Sequence, residues 1–185
     1  MQILYRAHQT WNTITAIPEK DDIDRVRQIL SPDLMSLFLR LQPGEQAHSF
    51  LVYNQIYQNG ETNHDLLVAA LLHDVGKSLH PLHLWERIVI VLGKTISPQG
   101  VKAWGQGEPQ GLLRPFVISE KHPDWGADMA AQAGASKLTV SIIRRHQEPQ
   151  SINPNVQFGE NPGVTTNQLV ERQLLHRLQR ADNKS

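Results

Sequence analysis

Hydrophobic positions recur along most of this chain at the three- and four-residue spacing of helices, and no stretch alternates as a strand would. Capping residues and breakers divide the pattern into segments; Ser31 followed by Pro32 predicts one helix start, and Asn59-Gly60 predicts one helix end. The predicted helices are 32–41, 43–58, 65–75, 81–93, 122–133, 136–148 and 167–182. The pattern therefore predicts an all-α protein, with segment 65–75 as the most buried helix.

Two segments interrupt this pattern with Gly, Pro and polar residues. They are 97–115, which contains Trp104, and 151–166. We predict both as long loops, and loops of this length are often functional. A length of 185 residues fits a single domain.

Composition excludes several functions. The 18 basic and 18 acidic side chains balance, so no DNA or RNA polymer is expected as a partner. The absence of cysteine excludes disulfides, thiolate metal sites and a cysteine nucleophile. No apolar run approaches the ~18–20 residues of a membrane span, so no membrane partner is expected and a cytoplasmic location is the default prediction. The nine histidines make nitrogen and oxygen ligands the remaining way to hold a metal.

Several potential metal ligands lie on apolar helix stripes, where helical spacing directs them toward the core. The candidates are His48 beside Leu51, Val52 and Ile56; His73 and Asp74 at the end of the most apolar helix; His146 after Ile142 and Ile143; and Asp182 after Leu174, Leu175 and Leu178. A buried ionised carboxylate is costly without a partner, and a cation would meet that need. One such histidine alone would be read as a hydrogen-bonded core residue, but five ligands together indicate a metal site.

Two other positions are less informative from spacing. His122 stands at a predicted helix start, where a surface capping role is as good an interpretation as a ligand. The pair His64-Asp65 also begins a helix, where an acidic residue favours the helix dipole. We therefore predict a structural role for that second pair.

The ordered set of His48, LLHDVGK with His73-Asp74, and a closing Asp182 resembles the signature of the HD superfamily of metal-dependent phosphohydrolases. The segments KHPDWGA and IIRRHQE are similar to the extra histidine motifs of its binuclear members, which are found in HD-GYP phosphodiesterases and HD-type diadenosine tetraphosphate hydrolases. The resemblance implies a compact helical bundle with long loops. We expect one HD domain over 1–185, with an N-terminal helical extension at 1–45 and an HD core at 46–182.

The resemblance also implies roles for individual residues. One ion would be held by His48, His73, Asp74 and Asp182, and a second by Asp74, His122 and His146, with Asp74 bridging and thereby catalytic. This ligand set suits Fe, Mn, Co, Ni or Zn. Lys77 is the second catalytic candidate and resembles the family lysine that grips a substrate phosphate, although a lysine capping the helix end is an equal alternative. Arg144 and Arg145 precede His146 and are further candidates for substrate binding.

The implied activity is hydrolysis of a small phosphorylated molecule, a phosphoester or phosphoanhydride of a nucleotide. No Gly-Tyr-Pro segment follows His146, which argues against cyclic di-GMP as the substrate. Two alternatives stay open: a di-iron HD-type oxygenase, and a non-catalytic module that binds a nucleotide. The sequence does not indicate an oligomeric state.

Overall fold

The computed structural model describes residues 17–149 and 165–185, and all regular secondary structure in these ranges is helical. The α-helices are α1 (Lys20–Ile29), α2 (Pro32–Phe38), α3 (Pro43–Gln58), α4 (His64–Leu72), α5 (Leu84–Ile96), α6 (Pro98–Trp104), α7 (Arg114–Gln132), α8 (Lys137–Arg145) and α9 (Thr166–Asp182). Short 3₁₀ helices lie at Val75–Leu79 and Gly111–Leu113. The all-α prediction is confirmed. The predicted loop at 151–166 lies almost entirely outside the described residues.

The predicted caps begin several of these helices. The Ser31 hydroxyl accepts a hydrogen bond from the backbone N–H of Leu34, and the Asn63 side chain accepts one from Leu66. Ser136 caps α8 in the same way and also donates to Asp65 at the start of α4. The Thr139 hydroxyl also donates a hydrogen bond to the Asp65 carboxylate, and the two hydrogen bonds join α4 to α8. The structural role predicted for the His64-Asp65 pair agrees with these contacts.

Helix α4 forms the centre of the bundle. Every residue from Leu66 to Leu72 is buried, and α4 packs against α1, α2, α3, α8 and α9. Ile142 and Ile143 of α8 and Leu178 of α9 are fully buried in the same core. Because a helix surrounded on all sides must be apolar all round, the unbroken run LLVAALL explains this central position.

A short 3₁₀ helix follows α4 directly. The α-helix ends at Leu72, earlier than predicted, and a 3₁₀ helix follows from Val75. Gly76 in this turn lies against the backbone of α7, where a Cβ atom would stand 2.0 Å from the carbonyl oxygen of His122. Only glycine permits this approach, which brings the end of α4 and the middle of α7 together.

Two predictions for segment 97–133 are wrong. Part of the expected loop is α6, because Ser97 accepts a hydrogen bond from Gly100 N–H, Pro98 occupies the first turn and Val101 is buried. Helix α7 begins at Arg114 rather than His122, so Pro123 lies inside the helix. Its buried residues Phe116, Val117 and Ile118 stabilise the first turns, and tertiary packing outweighs the missing proline hydrogen bond.

Helix α5 lies at the surface, with Glu86 as its one buried residue. Two ion pairs to buried carboxylates fix it: Arg114 with Glu86, and Arg87 with Glu45 of α3 at 2.7 Å. Gly93 packs on the ring of Phe116 in α7. Among the helices in the described ranges, none has the length and apolar character needed to cross a membrane.

Candidate metal centre

Five separate elements bring the six predicted ligands together. His48 lies within α3, His73 and Asp74 follow the last turn of α4, and Asp182 is the last residue of α9. His122 lies in the middle of α7, and His146 directly follows α8. The four imidazole rings form a continuous series with centroid separations of 5.5 Å (48 to 73), 5.2 Å (73 to 146) and 5.2 Å (146 to 122).

The burial of these residues follows the helical stripes of the sequence. His73, Asp74, His122 and His146 are buried, whereas the Asp182 side chain is 30% exposed and opens the cluster to solvent. Next to His48, Val52 and Ile56 are buried as predicted. Leu51 is 48% exposed, so its inclusion in that stripe was wrong.

Asp74 is the centre of the arrangement. Its Oδ1 lies 3.1 Å from His122 Nε2 and 3.9 Å from His146 Nε2, and its Oδ2 lies 3.7 Å from His73 Nε2. The carboxylate therefore faces histidines on both sides. The surface capping role considered for His122 is excluded, because this residue is fully buried in mid-helix.

Asp182 forms the second carboxylate contact of the cluster. Its Oδ1 lies 2.9 Å from His48 Nε2 and 3.6 Å from His73 Nε2. The last turn of a helix frays unless it is packed against other elements, and Asp182 is the last residue of α9. Buried Leu178 and Ala181 hold the last turn of α9 in the core.

Backbone carbonyls orient three of the imidazoles. His73 Nδ1 donates to the carbonyl of Ala70 (2.9 Å), His122 Nδ1 to that of Ile118 (3.0 Å), and His146 Nδ1 to that of Ile143 (2.7 Å). A proton on Nδ1 leaves the lone pair on Nε2, and this is how metal-binding histidines are held in proteins. All three Nε2 atoms consequently point into the cluster, where each can present a lone pair to a metal once it carries no proton.

Burial keeps two of these imidazoles neutral. It lowers the pKa of His146 to about 3, and positive charge on His73 adds to the effect. It also lowers the pKa of His122, although the hydrogen bond with Asp74 opposes the shift. Neutral imidazole is the form that binds a metal.

The opposite charges of the cluster act on the remaining groups. Burial lowers the pKa of His73, but Asp74 and Asp182 outweigh burial and raise it to about 9. Burial raises the pKa of the Asp74 carboxyl, but Lys77 and His73 hold it well below its usual range. Burial likewise raises the pKa of Asp182, and its contacts with His48 and His73 hold it well below that range. Both carboxylates are thus ionised and available as ligands.

Unpartnered ring nitrogens provide evidence for a metal ion that does not depend on the spacing of the ligands. Within the described ranges, the buried Nε2 atoms of His73 and His146 have no hydrogen-bond partner. Buried polar atoms without partners are rare and costly, and a cation would satisfy the lone pair that each of these nitrogens offers when it is unprotonated. Two overlapping groups could hold ions: His48 with His73 and Asp74, and Asp74 with His122 and His146. Asp74 belongs to both groups.

Two lysines border the cluster. Lys77 Nζ lies 2.6 Å from Asp74 Oδ2, so this lysine contacts the central carboxylate instead of only capping the helix end. Lys94 of α5 is exposed and forms no ion pair among the described residues. Desolvation by the surrounding protein and the like charge of Lys77 lower the pKa of Lys94, while Glu120, Asp74 and Asp182 oppose the shift. Its ammonium group is therefore within electrostatic range of the cluster.

Sequence reasoning missed Lys94, because neither a motif nor a helical stripe relates α5 to the ligands. It also missed Gln147, whose side-chain amide lies 3.4 Å from His122 Nε2. The position of Gln147 directly after His146 was the available signal.

The structure does not bring the two predicted arginines into the cluster. Arg144 pairs with Asp124 (2.9 Å) and Asp128 (2.6 Å), both exposed on α7. Arg145 pairs with Glu148 (2.9 Å) and Glu171 (2.6 Å). Their role in substrate binding stays a prediction, and in this structure carboxylates neutralise both guanidinium groups.

Comparison with known families agrees with this geometry. The HD domain family matches residues 46–183, which is most of the chain. The chain therefore belongs to the HD domain family, a superfamily of the metal-dependent phosphohydrolase type whose members bind divalent metals. No curated protein and no solved structure matches the chain significantly.

Proposed function

We propose that this protein is a metal-dependent phosphohydrolase that cleaves a phosphoester or phosphoanhydride, with a nucleotide as its substrate. One observation carries the proposal: three imidazoles fixed by backbone carbonyls turn their Nε2 atoms toward one buried carboxylate, Asp74. Such preorganisation is expected of ligands for a metal. A merely structural histidine would direct both ring nitrogens to hydrogen-bond partners, whereas the Nε2 atoms of His73 and His146 have none among the described residues.

Each ligand group would hold one ion, with Asp74 shared between the groups and Asp182 adding a second carboxylate beside His48 and His73. Two divalent ions of Fe, Mn, Co, Ni or Zn would supply Lewis acidity to phosphate oxygens and lower the pKa of a water molecule toward neutrality. The ligand set holds oxygen- and nitrogen-binding metals without selecting among them.

The two lysines would bind and orient the substrate phosphate. Lys77 already places its ammonium group 2.6 Å from Asp74, and Lys94 adds a second positive charge within range. Two lysines with like charges beside one cluster favour an anion between them, because each raises the cost of the other's charge. A phosphate held there would lie next to the metal ligands, and this position would orient it for attack by a water molecule.

The experiment is a substrate panel on protein reconstituted with each metal in turn. Phosphate release from phosphomonoesters, phosphodiesters and nucleoside polyphosphates is measured, together with oxygen consumption by the iron-loaded protein. Hydrolysis that needs the metal supports the proposal. Oxygen consumption without phosphate release would favour the oxygenase alternative, and a protein that neither holds metal nor hydrolyses any substrate would favour a binding module.

Variants assign the lysines within the same assay. Lys94→Ala should raise KM by about tenfold, because a charge-assisted contact with phosphate is worth roughly 1.5–3 kcal/mol before solvent weakens it. Lys20→Ala removes an exposed lysine on α1 and is the matched control. An unchanged KM in Lys94→Ala would remove this lysine from the substrate site.

A further inference from the structure

A cavity lies between the C-terminal halves of α3 and α9. Its volume is about 520 Å³, within the range of small-molecule sites. Its walls include Gln55 and Glu61 from one side and Arg177, Arg180 and Lys184 from the other. None of the lining residues belongs to the six candidate metal ligands, so this cavity is separate from the metal centre.

The cavity carries an excess of positive charge. Arg177 pairs with Glu61, whose carboxylate also accepts hydrogen bonds from the backbone N–H groups of Thr62 and Asn63 (2.9 Å each). The negative charge of Glu61 therefore neutralises Arg177, and no other acidic side chain of the described ranges lines the cavity. Arg180 and Lys184 have no ion-pair partner among the described residues, and both line the cavity. Two unpaired cations on one concave surface favour a phosphate-sized anion.

An unpartnered side-chain oxygen in the cavity wall indicates that the ligand also carries a hydrogen-bond donor. Gln55 Oε1 is buried and has no hydrogen-bond partner within the described part of the chain. Gln55 lines the cavity and its side chain is half-buried, so this oxygen would accept from a ligand once the side-chain amide rotates toward the cavity. The missing partner is a donor, which a phosphate dianion does not supply. A ligand suited to this cavity therefore combines an anionic phosphate with a hydroxyl or amino group.

Both walls of the cavity continue into helices that carry candidate ligands. Gln55 follows His48 by seven residues on α3, which is two helical turns along the same face. Ala181 lines the cavity, and the next residue is Asp182, whose Oδ1 contacts His48. Because α9 ends at Asp182, a ligand that bridges Arg180 and Lys184 would restrain the last turn of the helix further, in addition to its packing in the core.

We propose that this cavity binds a small phosphorylated molecule with a hydroxyl or amino group, and that its binding strengthens metal binding through Asp182. The linkage to metal rests on the proposed function, whereas ligand binding in the cavity does not. Coupling of this kind is reciprocal, so bound metal also raises the affinity for the cavity ligand.

The test uses two phosphonates whose C–P bonds resist phosphoester hydrolysis, propylphosphonate and 3-hydroxypropylphosphonate. Calorimetric titrations are run on the full chain with and without metal, because this separates binding that depends on the metal from binding in the cavity, and the variants below distinguish the cavity from the lysines of the metal centre. In the metal-free protein, 3-hydroxypropylphosphonate should bind more tightly than propylphosphonate. The double variant Arg180→Ala/Lys184→Ala should weaken its binding by at least about tenfold.

Two further variants make the result specific. Arg27→Ala/Lys137→Ala removes one arginine and one lysine that are exposed elsewhere, and it should bind like wild type. Gln55→Ala should retain phosphonate binding but lose the preference for the hydroxyl group. Equal loss of affinity in both double variants would show only a general charge effect and would overturn the cavity site.

Linkage is measured separately by competition with a chelator. Saturating 3-hydroxypropylphosphonate should raise the metal affinity of wild type by at least about fivefold and leave the Arg180→Ala/Lys184→Ala variant unchanged. Phosphonate binding without a change in metal affinity would refute the linkage through Asp182. A protein that binds the phosphonate but holds no metal would refute the proposed function and leave the cavity site standing.

Discussion

Replacing Gly76 by alanine should disable the metal centre by a backbone clash. A Cβ at this position would meet the carbonyl oxygen of His122 at 2.0 Å and the backbone nitrogen of Gly126 at 2.7 Å. Real Cβ atoms essentially never approach other atoms within 3.0 Å. Both obstructing atoms belong to the backbone of α7, so no side-chain rotation can relieve the contact.

The size of the effect follows from these distances. The turn and α7 must separate by about 1 Å, whereas metal–ligand distances tolerate deviations of only about 0.2 Å. His122 Nε2 now lies 3.1 Å from Asp74 Oδ1, and the two residues flank the point of separation. We expect the free energy of unfolding to fall by about 3 kcal/mol, the upper end of the cost of overpacking.

The assay combines urea denaturation with the metal content of the purified variant. Gly107→Ala is the matched control, because a Cβ there meets no atom within 4 Å. Gly76→Ala should lose bound metal even where it still folds, and Gly107→Ala should retain both metal and stability. If Gly76→Ala kept the wild-type metal content and denaturation midpoint, the close packing of the turn on α7 would be refuted as the feature that aligns the ligands.

Three further outcomes follow from the same structure. Glu86→Ala should lower the free energy of unfolding by about 2–3 kcal/mol, because it leaves Arg114 without its buried partner. The control Glu108→Ala, at an exposed position, should change this free energy by less than about 0.5 kcal/mol. Equal urea midpoints for the two variants would contradict this prediction. The pKa of His73 is raised to about 9 in the metal-free protein, so the stability that its protonation contributes is present below pH 6.5 and lost as the pH rises through 9. Metal affinity has the opposite pH dependence, because His73 must lose its proton before it binds the metal. Chelator competition between pH 6.5 and 8 should show that the metal affinity increases about tenfold per pH unit. A metal affinity that does not change with pH would contradict this prediction. Removing metal with EDTA should lower the melting temperature, because an ion that binds only the folded chain stabilises it; identical melting curves would contradict metal binding.

The sequence was sufficient to predict the helices whose caps and apolar stripes agree. Asn63 and the run LLVAALL predict the central helix, because both signals depend only on near neighbours in the chain. The same spacing predicts which way His146 and Asp182 face. These predictions succeed because side-chain direction on a helix is fixed locally.

Contacts between distant segments could not be predicted in this way. Pro123 indicated a helix start, but packing of the preceding turns on the core carries α7 through that residue. The charge of Lys94 acts on the cluster because two ion pairs fix α5, and those pairs join residues far apart in the chain. Similarly, only the folded structure shows that Gly76 touches α7.

The central claim is that Asp74 is shared by two metal ions, and the most direct measurement is metal content per chain. Wild type, Asp74→Ala and Asp65→Ala are purified identically, checked for folding by circular dichroism and analysed for metals. Asp65 belongs to the other His-Asp pair and contacts α8 rather than the cluster, so its variant should keep the wild-type metal content of about two ions. Asp74→Ala should lose both ions, and equal metal content in wild type and a folded Asp74→Ala protein would contradict the account.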